Sequence, residues 1–166
     1  MGSGKSAVGR LVAAELKMRF MDMDRWIEKK EGCSISEIFS KRGETAFRDL
    51  ESATVKRLAS QRGLVIATGG GVVLRPANVE ELGRNGVLVH LRVDAKTAQV
   101  RTQKSSHRPL LVEGKASDRI ETLLKERHPF YDAIPNDVET SGRSLKEVVR
   151  DVVQIYRQSQ NLSGQT

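Results

Sequence analysis

Cys33 is the only cysteine in 166 residues, so no internal disulfide forms and no cysteine set can hold a structural zinc. With no feature that activates a thiol, Cys33 reads as inert. Aromatic residues make up 4% of the chain, too few for base-stacking platforms. Long apolar runs are missing as well: Val87-Leu88-Val89 is typical, far below the ~20 residues a membrane span needs. The opening residues do not read as a secretory leader. His90, His107 and His128 lack metal-ligand spacing, and neither a G-x-S-x-G nucleophile motif nor an Asn-Lys-x-Asp guanine signature occurs. There is no internal repeat and no low-complexity block. These absences exclude a membrane protein, a disulfide-stapled secreted domain and a serine hydrolase. The expected compartment is the cytoplasm.

The balance of 28 basic against 21 acidic residues gives a net charge of +7. The basic residues are spread along the chain among the acids, a pattern that suits an anionic small substrate; no nucleic-acid partner is expected. Hydrophobic residues at 38% suffice for one packed domain, expected over 1–159 with a disordered tail at 160–166.

Helices are expected at 4–16, 24–31, from Ser34, 44–60, 76–84, 94–102, 118–127 and from Ser144 to about Tyr156. Ser34 with Glu37 and Ser144 with Glu147 have capping-box spacing. Short strands are expected at 20–24, 64–67, 87–91 and 137–140, and a polar loop at 104–117. Strands alternating with helices imply a parallel sheet covered on both faces, with ligands at the carboxyl ends of its strands.

Met1-Gly2-Ser3-Gly4-Lys5-Ser6 is the back half of a phosphate-binding G-x-x-x-x-G-K-[ST] loop. Gly2, Ser3 and Gly4 would turn backbone N–H groups toward phosphate oxygens at a helix N-terminus, Lys5 would reach the outer phosphates, and the Ser6 hydroxyl would hold Mg²⁺. The pattern's first glycine would stand one residue before Met1. The strand that normally feeds such a loop is also not among these residues, so the expected sheet lacks its first strand.

Other residues carry two readings each. Asp22 and Asp24, two apart on one strand face, either serve metal and substrate hydroxyl or form an acidic turn, with Asp24 capping the next helix. Arg48 and Glu51 are either a surface ion pair or an arginine fork on a substrate carboxylate. Gly69-Gly70-Gly71 after a buried strand suits close approach of backbone to a ligand; the alternative is a tight turn. Arg108, in the polar loop, and Arg101 before it either close onto phosphates or are solvated. Arg127 is a partner for a helix C-terminal dipole or a second grip on an anion.

Taken in order, the segments 1–6, Asp-x-Asp at 22–24, Ser-Ile-x-Glu-Ile-Phe at 34–39, Gly43-Glu44, Phe47-Arg48 with Glu51, Ala-Thr-Gly-Gly-Gly at 67–71, Arg-Pro-Leu-Leu at 108–111 and Arg-x-Pro-x-Tyr at 127–131 resemble shikimate kinase. The resemblance implies an α/β fold: a parallel, five-stranded-type sheet flanked by helices, a three-layer P-loop kinase with a lid at about 104–117 and a substrate segment at about 24–60. It implies transfer of the γ-phosphoryl of ATP to the 3-hydroxyl of shikimate, in aromatic amino-acid biosynthesis, by a monomer using Mg²⁺. Lys5 and Arg108 would serve the phosphates, Asp24 the reacting hydroxyl as candidate base, and Ser6 and Asp22 the metal. Arg48 and Arg127 would take the shikimate carboxylate, Gly70 and Gly71 would give backbone contacts, and Ile35, Phe39 and Phe47 apolar walls. Arg101 and Arg143 would lie near adenine. The alternatives are another small-molecule P-loop kinase, of gluconate type, and a truncated non-catalytic relic.

Overall fold

The computed structural model describes residues 2–102 and 116–163. The lid expected at 104–117, including Arg108, falls almost wholly outside these residues, as do 164–166 of the expected tail. In chain order the elements are α1 (Lys5–Glu15), β1 (Arg19–Asp22), α2 (Met23–Glu31), α3 (Ile35–Ala59), β2 (Leu64–Ala67), a 3-10 turn (Val72–Leu74), α4 (Pro76–Gly83), β3 (His90–Arg92), α5 (Ala95–Thr102), α6 (Ala116–Asp132), β4 (Asp137–Glu139) and α7 (Leu145–Ser163).

Among the described residues the strands form two parallel pairs. In one, Arg19 to Asp22 of β1 lie opposite Leu64 to Ala67 of β2. In the other, His90 to Arg92 of β3 lie opposite Asp137 to Glu139 of β4. A largely aliphatic channel of about 500 Å³ runs beside β2 and the 87–89 segment, lined by Val8, Val12, Val65, Leu88 and Val152 among others. The strands are parallel as expected, but among the described residues they form two small sheets and not one continuous sheet. Residues 87–89, expected to be strand, are irregular, and β3 begins only where β4 supplies a partner.

Helices cover both faces. α1 packs on β1, β2 and α7 and so links the two strand pairs. On its side, Val8, Val12, Leu91, Val138, Val148 and Val153 form one core cluster. On the other side Met23, Val55, Leu58 and Val72 form a second, joining α3 and the 3-10 turn to β1 and β2. These are the three layers of an α/β domain. A third cluster stands outboard, where Ile27, Ile38 and Phe47 pack with Trp26, Ile35 and Phe39. Trp26 also lies under two cations, with Lys30 Nζ 5.5 Å and the Arg57 guanidinium carbon 5.7 Å from its ring centroids.

Local chemistry corrects several expectations. The first strand stops at Asp22, whose carboxylate accepts from the Arg25 amide at 3.3 Å and caps α2. Asp24 therefore sits in the first turn of a helix, not on a strand face with Asp22, and the cap is Asp22, not Asp24. The capping box Ser34–Glu37 forms, and the two helices expected beyond it run on as α3, interrupted at Gly43. There φ is 78° and ψ 172°, a region open essentially to glycine, so the chain turns without a side-chain clash. α6 continues through Pro129, which has no amide proton to donate back to the preceding turn. Arg127 thus lies inside that helix and not at its end, which removes the dipole reading. α7 runs to Ser163, so 160–163 are helical and not a disordered tail: the start is fixed by Ser144 and Glu147, and no helix breaker stands between Tyr156 and Ser163.

Candidate active site

The parallel strands point their carboxyl ends the same way, and α1 starts at that end. At the phosphate side, Gly4 caps α1 with no side-chain hydrogen bond, so the helix N-terminus is served by backbone alone. Ser6 Oγ donates to Asp22 Oδ2 at 2.6 Å, and Lys5 Nζ donates to Ser3 Oγ at 3.3 Å. A hydroxyl and a carboxylate oxygen held together at the start of the helix suit a hard divalent cation, so the residues present fit Mg²⁺. Arg101 donates to the Thr140 carbonyl at 2.9 Å, to Thr140 Oγ1 at 3.1 Å and to the Gly2 carbonyl at 3.3 Å, tying the phosphate loop to the end of β4. Arg143 pairs with Asp151 at 2.7 Å, just beyond the same strand. Of the two expected adenine-side arginines, Arg101 therefore touches the phosphate loop, while Arg143 is held by Asp151 and the Glu139 carbonyl.

The acceptor side is built on α3, the triple glycine and α6. Arg48 is 7% exposed, Glu51 1% and Arg127 8%, so none is a surface charge. The Arg48 guanidinium donates through Nη1 to Glu51 Oε2 and, through Nη2, a bond of 2.8 Å to Glu44. Burial pulls that guanidinium down, but Glu51 and Glu44 more than offset it and its pKa is raised. The Glu51 carboxyl is pushed above its ordinary range by burial, with Arg48 opposing and Asp24 adding to the rise. Glu51 Oε1 is buried and accepts no hydrogen bond among the described residues.

The glycines explain themselves against this cluster. A Cβ at Gly69 would stand 2.6 Å from Glu51 Oε1 and 2.9 Å from Asp24 Oδ1, and one at Gly71 would overlap the Arg48 guanidinium. Backbone approach to charged side chains, and not a tight turn alone, requires glycine there. The same contacts bring Asp24, Arg48 and Glu51 together around the loop, settling the surface-pair alternative against Arg48. The phenyl rings of Phe39 and Phe47 lie 4.9 Å apart beside Ile35 and form an apolar wall, with the Arg48 guanidinium 5.4 Å from the Phe47 ring centroid. A cleft of about 310 Å³, lined by Ser3, Lys5, Gly69, Gly70, His90 and Tyr131, connects the two sides.

Sequence reasoning passed over Tyr131 and His90 as site residues. Tyr131 donates from its hydroxyl to the Gly70 carbonyl at 2.8 Å and stacks on the His90 ring, centroids 4.4 Å apart. Tyr131 stands four residues after Arg127, one helical turn on, and that spacing was the available signal.

The shikimate kinase family model matches residues 1–157. A shikimate kinase of Pelotomaculum thermopropionicum is 41% identical over 158 residues, covering 95% of this chain and 92% of that protein. One of Caldanaerobacter subterraneus subsp. tengcongensis is 41% identical over 156 residues, covering 94% and 91%. The solved shikimate kinase from Acinetobacter baumannii, in complex with shikimate, superposes with a TM-score of 0.91 at 34% identity over 96% of this chain and 89% of that one. A gluconokinase from Sinorhizobium meliloti superposes at 0.65 with 21% identity, covering 100% and 93%, a likeness of fold alone.

Proposed function

The chain belongs to the shikimate kinase family, and on that premise we propose that it transfers the γ-phosphoryl of ATP to the 3-hydroxyl of shikimate, giving shikimate 3-phosphate and ADP. The observation that carries the reading is the buried Arg48–Glu51 pair with Arg127 beside the triple glycine and Asp24. Two arginines on one carboxylate fix an anionic ring in orientation, so that one hydroxyl faces the phosphate end.

Asp24, close against Gly69, takes the reacting hydroxyl, aligning it and accepting its proton. Gly70 and Gly71 contact the acceptor through backbone, and Ile35, Phe39 and Phe47 exclude water from its apolar face. Lys5 and the amides of Gly2, Ser3 and Gly4 cradle the β- and γ-phosphates, and Arg108 closes on them from the lid at about 104–117. Arg101 and Arg143 border the adenine. Ser6 and Asp22 hold Mg²⁺, which when bound neutralises charge on the phosphates. The work is positioning and charge neutralisation, as phosphoryl transfer demands.

In this reading residues 1–159 act as one kinase domain, with acceptor recognition in 24–60. The protein works as a cytoplasmic monomer in the route to aromatic amino acids, without nucleic-acid or membrane partners. Among the described residues no helix is long and apolar enough to cross a membrane.

The test is ADP release from Mg-ATP with shikimate, and with gluconate as control acceptor. Release with shikimate and not gluconate is expected. Release with gluconate alone, or none with either from folded protein, overturns the reading.

A further inference from the structure

One phenol joins three parts of the acceptor side that are distant in sequence. Tyr131 Oη donates to the Gly70 carbonyl at 2.8 Å, and the charge of the Arg127 guanidinium acts on the phenol. A tyrosine hydroxyl has one proton to give, and here the Gly70 carbonyl takes it. The peptide between Gly70 and Gly71 is trans, as are all described peptide bonds. Anchoring its carbonyl on Tyr131 therefore fixes the Gly71 amide pointing away from the phenol.

The ring is braced from behind. His90 stacks on it with centroids 4.4 Å apart and planes inclined by 10°. His90 Nδ1 lies 3.0 Å from Asp137 Oδ1, and Asp137 Oδ2 lies 3.0 Å from Arg92 Nη1. The brace thus runs from the β3–β4 pair to the loop after β2. Burial pushes the phenol above its ordinary range, against Arg127, so it keeps its proton and remains a donor.

The geometry points to Tyr131 as a positioning residue for the acceptor: it sets the Gly70–Gly71 peptide plane on the Arg127 side of the site, with His90 as its backstop. The inference rests on the acceptor reading above, since it names what aligns two of the groups that reading assigns to shikimate. Tyr131 touches neither phosphate nor the reacting oxygen and acts through the Gly70–Gly71 peptide.

Tyr131→Phe keeps the ring and its stack and removes only the hydroxyl. Its dissociation constant for shikimate, measured by titration calorimetry, should rise about 5- to 20-fold, the loss of one buried orienting bond that leaves the Gly70 carbonyl unpaired. The constant for ATP should stay within about twofold, as should turnover at saturating shikimate. His90→Phe, which keeps a flat ring behind the phenol but loses the contact with Asp137, should lose less shikimate affinity than His90→Ala, and both should lie between the parent and Tyr131→Phe.

A second measurement needs no substrate. In ligand-free protein, Tyr131→Phe should shift the Gly71 amide resonance and the Arg127 Nε resonance. Unchanged Gly71 and Arg127 signals overturn the inference whether or not the parent binds shikimate. Equal loss of shikimate and ATP affinity together with a lowered Tm overturns it too, because that marks a merely structural residue. A parent that fails to bind shikimate, with the Gly71 and Arg127 signals moving as expected, overturns the acceptor reading and leaves the positioning role standing.

Discussion

At the acceptor end, Arg48, Glu51 and Arg127 are nearly sealed from solvent and braced against one another. At the phosphate end, Gly4 is exposed and Lys5, Ser6 and Asp22 are half-buried. The acceptor groups come from α3, α6 and the loop after β2, and each is fixed by a partner from another element or another turn. The phosphate groups lie in one short stretch of chain, steadied by Asp22 and by Arg101 on the Gly2 carbonyl. The difference matches the two ligands' chemistry. A small rigid acid must be oriented to one hydroxyl, so its site is built before it arrives. A flexible polyphosphate with its cation brings its own charge and organises a loop of amides around it.

The comparison can be broken most forcefully at the point where the two ends meet. Asp24→Asn should cut turnover by about 10²- to 10⁴-fold, the usual yield of a positioned proton acceptor, with ATP affinity retained. Unchanged turnover in steady-state assays would remove Asp24 from the chemistry. The next two variants should split cleanly by end. Arg127→Ala should raise the shikimate KM by about 10- to 100-fold, as expected for losing a charged hydrogen bond, and leave the ATP KM alone. Ser6→Ala should do the reverse, raising the Mg²⁺ concentration needed for half-maximal rate several-fold while the shikimate KM holds. If either variant moved both constants equally, the two ends would be one coupled site.

The smallest effect concerns stability. The Glu51 carboxyl is held above its ordinary value of 4.5, chiefly by burial. A folded state that resists charging Glu51 has its full advantage below that pH and loses it as pH rises through the raised folded value. Glu51→Gln removes that loss, so its Tm relative to the parent should become more favourable as pH climbs from below 4.5. A difference moving the other way would mean that the ion pair with Arg48 outweighs burial.

Much of this was legible in the residues themselves, because the signals were local. The Gly-Lys-Ser loop, the boxes at Ser34–Glu37 and Ser144–Glu147, and the Leu64–Ala67 strand followed by three glycines each depend on neighbours a few residues away. The misplacements have physical causes at the same scale. Asp24 read as strand because alternation cannot reveal that Asp22 folds its carboxylate onto the Arg25 amide and starts a helix one residue earlier. The end of α6 was drawn too early because Arg127 stands two residues ahead of Pro129, which normally punctuates a helix. The bond from Tyr131 to Gly70 spans 61 positions, and the stack on His90 depends on which strands are neighbours. No periodicity carries that information; it exists only once the sheet is assembled.

Trp26, packed with Ile27 and Phe47 and flanked by Lys30 and Arg57, is the chain's sole tryptophan. The protein therefore carries its own optical gauge on the acceptor side. The indole emission of the whole molecule comes from one ring, two residues from Asp24 and in the cluster that includes Phe47. A fluorescence titration needs no dye and no label, and the signal it reads is assigned before the experiment begins.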